Sequence, residues 1–189
     1  PDFFTELGAA ACSTLSLFTE DGIVSSCEAD ILGAVTMYIQ RELSGGLPPY
    51  LGDLVHVNEA GNSVTFWHCG AGAWSLANPA TGAKAGMHPN RKLGFTLEFG
   101  LKPGPVTIAR LGKTNAGFRM LILKGEALDR PQAFFGTSGE VRLSGNASEI
   151  VHALMMEGFE PHYSLVHADI AEELEELCGQ LGIEAVNYS

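Results

Sequence analysis

Pro105-Val106-Thr107-Ile108-Ala109 and Phe118-Arg119-Met120-Leu121-Ile122-Leu123 are short runs rich in β-branched and apolar residues. Runs of this length, bounded by glycine, asparagine, proline or aspartate, read as β-strands. Four more flank them: Leu54-Val55-His56-Val57, Ser63-Val64-Thr65-Phe66-Trp67, Leu93-Gly94-Phe95-Thr96-Leu97-Glu98-Phe99 and Val141-Arg142-Leu143. Ala60-Gly61-Asn62 marks a tight turn between the first two of these. About six short strands joined by tight turns predict a mainly antiparallel β-barrel or sandwich. With helices on either side of the strands, the class is α+β.

Upstream of the strands the texture is helical. Leu7, Ala10, Ala11, Leu15 and Phe18 recur at helical spacing until Asp21-Gly22 breaks the run. Ser25 or Ser26 is then placed to cap a second helix carrying Ile31, Leu32, Val35, Met37, Ile39 and Leu43. Ser44-Gly45-Gly46 and Pro48-Pro49 close it. The domain boundary is expected there, with a helical segment over 1–45 and the barrel domain over 46–189. Residues 71–92 read as a long Gly/Ala/Pro-rich loop, a kind more often functional than decorative. Downstream, Ser144 or Asn146 caps a helix through Met156, with Glu149 in its first turn. His162 to His167 reads as a strand, Asp169 caps an acidic helix, and Gly182 to Val186 reads as a last strand. The chain starts at Pro1, not Met, and enters Phe3-Phe4-Thr5-Glu6-Leu7 at once. It is therefore expected to be a piece of a longer protein.

Composition narrows the function classes. Apolar residues make up 46% of the 189 and charged residues 17%, which supports a full core and argues against disorder. The net charge is −11, and Arg91-Lys92 is the nearest thing to a basic cluster. A nucleic-acid partner needs a basic face, and an anionic membrane repels an acidic one, so neither is expected. An acidic surface suits a protein that collects divalent cations, though it also serves solubility alone. Cys12, Cys27, Cys69 and Cys178 include no CxxC pair, so nothing reads as a disulfide framework or zinc knuckle. Unpaired thiols point to a reducing compartment, and there is no secretory signal or apolar run near the ~20 residues of a membrane span. The expected location is the cytoplasm.

Several residues could carry chemistry. Cys27-Glu28-Ala29-Asp30-Ile31 is expected to open the second helix, where the dipole keeps a first-turn carboxylate ionised. Ordinary helix-start chemistry explains Glu28 and Asp30 equally well. Asp53 follows Gly52 where a loop enters a strand; alone it reads as a turn aspartate. His68 ends an apolar strand, as a core histidine, a ligand or a substrate hydrogen-bond donor. His162 follows Pro161 at a strand start, and His167 lies on the opposite face of that strand and reads as structural. Taken together, Glu28, Asp53 and His162 are two carboxylates and an imidazole, a donor set for Mn²⁺ or Mg²⁺. No dense Cys/His spacing argues for zinc. The GxSxG, GxGxxG and GxxxxGK[ST] motifs are absent.

Glu28-Ala29-Asp30-Ile31-Leu32-Gly33-Ala34, then Gly52-Asp53, His68-Cys69-Gly70, Gly104-Pro105-Val106-Thr107 and His162 to His167 resemble the C-terminal region of L-fucose isomerase and its relatives, with L-arabinose isomerase more distant. The resemblance runs from about residue 10 to the end of the chain. It implies aldose–ketose isomerisation at a Mn²⁺-type ion through an ene-diol, with Glu28 and Asp53 as acid/base pair and metal ligands and His162 as third ligand. His68 falls near a further histidine of the arabinose branch. Pro161-His162-Tyr163 stands where that branch has paired histidines. The resemblance also implies α/β domains ahead of this region, with residues 1–45 ending one of them. It further implies a homo-oligomer whose neighbouring subunit completes the site, so that the isolated piece is weakly active or inactive. Trp74, Lys84, His88, Asn90 and Arg91 of the long loop are candidates for contacts to the sugar's hydroxyls, or for plain packing. The alternatives are a non-catalytic carbohydrate-binding or assembly domain of the same fold, and a metal-dependent lyase or epimerase acting on a sugar acid.

Overall fold

In the computed structural model, which describes residues 2–188, the two runs quoted first become the longest hairpin. β5 (Gly104–Thr114) and β6 (Gly117–Ala127) pair antiparallel along their whole length. Val106, Ile108, Leu121 and Leu123 belong to one buried cluster, while Ala109, Leu111, Met120 and Ile122 belong to another. The period-2 alternation thus sends both sets of side chains into apolar surroundings, which is why the sequence reads as continuous apolar runs.

The remaining strands are β1 (Tyr50–Asn58), β2 (Ser63–His68), β3 (Lys84–Met87), β4 (Gly94–Gly100), β7 (Thr137–Leu143), β8 (His162–Val166) and β9 (Glu184–Asn187). The pairings β1–β2, β2–β7, β7–β6, β6–β5, β5–β8 and β8–β1 are all antiparallel and close a six-stranded barrel. Five of its strands are among the six expected. The sixth is β8, read from sequence as a strand but outside that six. The 93–99 run forms β4, which joins the outside of β7 by a short parallel pairing. Residues 71–92 are not one loop: they hold a 3₁₀ turn at Trp74–Leu76 and β3, which forms a hairpin with β4.

The helices are α1 (Asp2–Glu6), α2 (Cys12–Glu20), α3 (Ile31–Leu43), α4 (Ala147–Glu157) and α5 (Ala171–Leu181). α3 lies against β5 and β8. Its Gln40 Nε2 donates to the carbonyls of Thr107 and Ser164 at 3.1 and 3.2 Å, and its Leu32, Ile39 and Leu43 pack with α5 residues on the second cluster. Asn146 caps α4 by accepting from the Glu149 N–H, and Gly158 ends that helix in the left-handed conformation. Two expected caps are corrected. Ser25 and Ser26 bond to the carbonyls of Ile23, Cys27 and Asp30, and α3 starts only at Ile31 with Asp30 as its cap. Asp169 pairs with Lys124 at 2.6 Å and accepts the Ala171 backbone N–H at the start of α5, while Ile170 holds the cap position itself. No helix among the described residues is long and apolar enough to cross a membrane.

Candidate functional site

The barrel's register sets the site. β1 lies between β2 and β8, and Asp53 stands directly opposite His162 across the β1–β8 pairing. Gly52, just before it, faces inward: a Cβ there would meet the Tyr50 ring at 2.6 Å, so only glycine lets β1 run this close to its own aromatic side chain. His68 ends β2, and its ring centroid lies 5.5 Å from that of His162.

Glu28 arrives differently from the way its sequence suggests. It is not in the first turn of a helix. It sits before α3, with φ +58° at both Glu28 and Ala29. Left-handed backbone at two consecutive non-glycine residues costs on the order of 1 kcal/mol each. Here it accompanies a carboxylate delivered to the histidine: Glu28 Oε2 lies 3.8 Å from His162 Nε2, and Asp53 Oδ1 lies 3.6 Å from the same nitrogen. Ligand atoms of Glu28, His68 and His162 all fall within 4.8 Å of one another.

Asp30 holds this arrangement. Its Oδ1 accepts the Gly33 N–H at 2.8 Å as the cap of α3, and its Oδ2 accepts from Arg110 of β5 and from His162 Nδ1, the latter at 3.0 Å. Burial alone would raise the Asp30 carboxyl, but the Arg110 guanidinium, the Gly33 N–H and His162 outweigh it and hold the group below the usual carboxylate range. An ionised Asp30 only accepts, so the Nδ1 of His162 carries a proton and, in the neutral ring, Nε2 offers a lone pair toward Glu28 and Asp53. A carboxylate behind an imidazole is the arrangement that orients histidine metal ligands. Arg110 is almost fully buried and also pairs with Glu160 at 3.5 Å.

Burial pushes the Asp53 carboxyl up and Glu28 adds to this, while His162 opposes both. His68 is pushed down to about 4, first by burial and then by His162 and His88. Its Nδ1 contacts Cys69 Sγ at 3.4 Å, and its Nε2 is buried without a hydrogen-bond partner among the described residues. Such an orphan costs about 1–3 kcal/mol unless something occupies the space beside it. Two carboxylates, a positioned imidazole and a second, unsatisfied one fit a divalent cation with oxygen and nitrogen ligands.

Glu28 also forms part of the wall of a cavity of about 470 Å³, with His88, Asn90 and Arg91 among its other lining residues. Arg91 lies over the Phe4 ring at 5.2 Å. Trp74 is half exposed on the 3₁₀ turn and is not among the lining residues, and Lys84 is exposed on β3. His167 bonds to the Lys102 carbonyl at 2.8 Å. Reasoning from residue types missed the orienting work of Asp30 and the whole of Arg110. Asp30 stands just before an apolar periodic run, the usual place of a cap. Arg110 is a cation in the middle of an apolar run, between Ala109 and Leu111, which signals a buried, paired charge.

Known proteins resemble this chain along its whole length. It is 61% identical over 188 residues to a sulfoquinovose isomerase of Priestia megaterium, covering 100% of this chain and 42% of that protein. The same name belongs to relatives from Alkalicoccus urumqiensis, 62% identical over 177 residues, and from a Clostridium species, 45% identical over 190. The chain spans about two-fifths of the length of these relatives. Residues 89–189, which include His162 but not Glu28, Asp53 or His68, match the model of the L-fucose isomerase C-terminal domain. With more than half of its residues in that match, on a closed barrel that brings Glu28, Asp53 and His162 together, the chain belongs to the L-fucose isomerase C-terminal domain family.

Proposed function

We propose that this chain is the metal-holding, proton-transferring part of a sugar isomerase that interconverts an aldose and a ketose through an ene-diol. Its sugar on this reading is sulfoquinovose, the one its relatives are named for. The observation that carries the reading is the meeting of Glu28 and Asp53 at the Nε2 of one histidine, His162.

Glu28, Asp53 and His162 would hold Mn²⁺ or Mg²⁺, with the unpartnered Nε2 of His68 as a further ligand or a contact to the sugar. Such an ion, when bound, polarises adjacent sugar oxygens and so acidifies the C–H between them. The carboxylates do the rest. Asp53, raised by burial, takes and returns a proton more readily than an ordinary aspartate. Glu28, two-thirds exposed, is the partner that exchanges protons with solvent. Asp30 and Arg110 keep His162 turned toward both. His88, Asn90 and Arg91 offer donors to sugar hydroxyls from the cavity wall.

A non-catalytic sugar-binding domain would need no such carboxylate pair. The reading includes a homo-oligomer in which a neighbouring subunit completes the sugar-facing wall; exposed Val55, Phe134 and Phe135 support a covered face. It also places the protein in the cytoplasm, on the strength of four free thiols.

The test is Mn²⁺ binding followed by its paramagnetic resonance signal, together with sugar NMR in D₂O. Near-stoichiometric binding that drops in Glu28→Gln and His162→Gln, with a deuterated ketose as product, is the expected result. In the full-length enzyme, Asp53→Asn should lower turnover about 10²–10⁴-fold. Unchanged turnover in that variant removes Asp53 from the reaction, and an epimer in place of a ketose removes the isomerase.

A further inference from the structure

Three of the four cysteines meet beside the proposed site. Cys69 follows His68 at the end of β2, and its Sγ lies 3.5 Å from the Sγ of Cys12, 57 residues away at the start of α2. Ligand atoms of Cys27, His68 and Cys69 also fall within 4.8 Å of one another. Cys12 and Cys69 are only 3% and 6% exposed, yet both line the 470 Å³ cavity with Cys27, so a small reagent reaches them from there. Cys178 sits apart, in the apolar cluster under α5.

Two chemistries suit such a cluster. One is a thiophilic metal, since atoms of Cys12, Cys69 and His88 lie within 4.8 Å of one another. His88 argues against it. Its Nδ1 accepts the backbone N–H groups of Asn90 and Arg91 at 3.2 and 3.3 Å, so the neutral ring keeps its proton on Nε2. Neither nitrogen then has a lone pair free for an ion. Cys27, His68 and Cys69 form a second group of this kind, in which a metal and a neighbouring sulfur compete for Cys69. The other chemistry is between the sulfurs. A disulfide needs an S–S distance of about 2.05 Å, and 3.5 Å is within reach of modest side-chain rotation.

We propose that Cys12 and Cys69 are a reversible redox pair, a modification site for small disulfides such as glutathione disulfide. Cys12 thiolate attacks the reagent, forming a mixed disulfide and releasing one small thiol. Cys69 thiolate then attacks Cys12 Sγ and expels the second. The two cysteines lose two electrons and two protons; the reagent gains both as two thiols. The new bond ties the start of α2 to the strand end that carries His68. This inference goes beyond the sugar reaction and does not rest on it, because its readout is thiol state.

The experiment incubates the full chain in glutathione buffers of rising disulfide fraction, quenches with acid, alkylates free thiols and maps peptides by mass spectrometry. Expected is a Cys12–Cys69 linked peptide pair with the loss of two hydrogens, reversed by dithiothreitol, while Cys178 stays alkylated. Cys12→Ser should abolish the link. Three results overturn the proposal: both residues staying alkylated at every ratio, a Cys27–Cys69 link in place of this one, or stoichiometric zinc that shields Cys69 and is lost in Cys69→Ser. The unsubstituted chain decides each of the first two outcomes, so a misfolded variant does not spare the idea.

Discussion

The barrel wall and the rim that carries the candidate site are built on opposite terms. In the wall, the middles of β5 and β6 alternate their side chains between two buried clusters, so the residues there are stabilised by burial on the face they occupy. At the rim nearly every feature costs something. Glu28 and Ala29 hold left-handed backbone, His68 has an unpartnered buried nitrogen, and Asp53 is partly buried beside a second carboxylate. Strain and frustrated polar groups persist only where the surrounding structure over-determines them. The wall supplies that constraint, because β1, β2 and β8 each run from the core into the site.

The largest effect should come from breaking the wall on the strand that serves both regions. Leu165 is 0% exposed on β8, three residues from His162. Leu165→Ala should cost about 2–5 kcal/mol in urea unfolding, as cavity-forming core substitutions do. Glu28→Gln should change stability by less than about 0.5 kcal/mol, since its side chain is two-thirds exposed. Comparable losses in the two variants would erase the distinction between wall and rim.

A pH series sharpens the comparison next. An unfolded histidine titrates near 6.5, whereas burial pushes His68 down to about 4. Between those values the unfolded chain binds the extra proton first. Stability of the metal-free chain should therefore be complete above about pH 6.5, fall as pH drops toward 4, and stop falling on this account below it. The contribution is about 3 kcal/mol at most. His88 and His167, also held down chiefly by burial, act with the same sign. Denaturant midpoints measured across this range should slope downward, less steeply in His68→Asn. A flat profile would mean that His68 is not the costly buried group its surroundings describe.

Legibility in the sequence divides along the same line. β5, β6 and the β1–β2 hairpin could be read because local periodicity and tight turns specify them. The barrel itself was legible, but which strands close it was not, because closure depends on β8 pairing with β1 and β5 across more than fifty residues of chain. β4 was expected in the barrel for its apolar run, yet it meets β7 only through Phe99 and Gly100. At the site, Glu28, Asp53 and His162 stood out through their order along the chain and the family resemblance; spacing alone left each an ordinary turn or strand residue. Asp30 stayed hidden because a helix cap already accounts for an aspartate before an apolar run. The Cys12–Cys69 contact has no sequence signature, since nothing local brings residues 57 apart together.

Asp30 joins the two regions, and its substitution gives the smallest and most specific effect. It touches Arg110 in the wall and His162 at the rim. Asp30→Asn keeps an oxygen to cap α3, and asparagine caps helices about as well as aspartate. Arg110 keeps Glu160 at 3.5 Å, which limits the charge left unpaired. What the change removes is the negative charge that fixes the proton on His162 Nδ1 and so leaves the Nε2 lone pair facing Glu28 and Asp53. Loss of such a carboxylate behind a metal-ligating histidine weakens metal affinity about 10–100-fold. Mn²⁺ titration of the folded variant should show that loss, with helical content by circular dichroism unchanged. Undiminished affinity would leave Asp30 as the cap of α3 and the partner of Arg110, with His162 oriented by its strand alone.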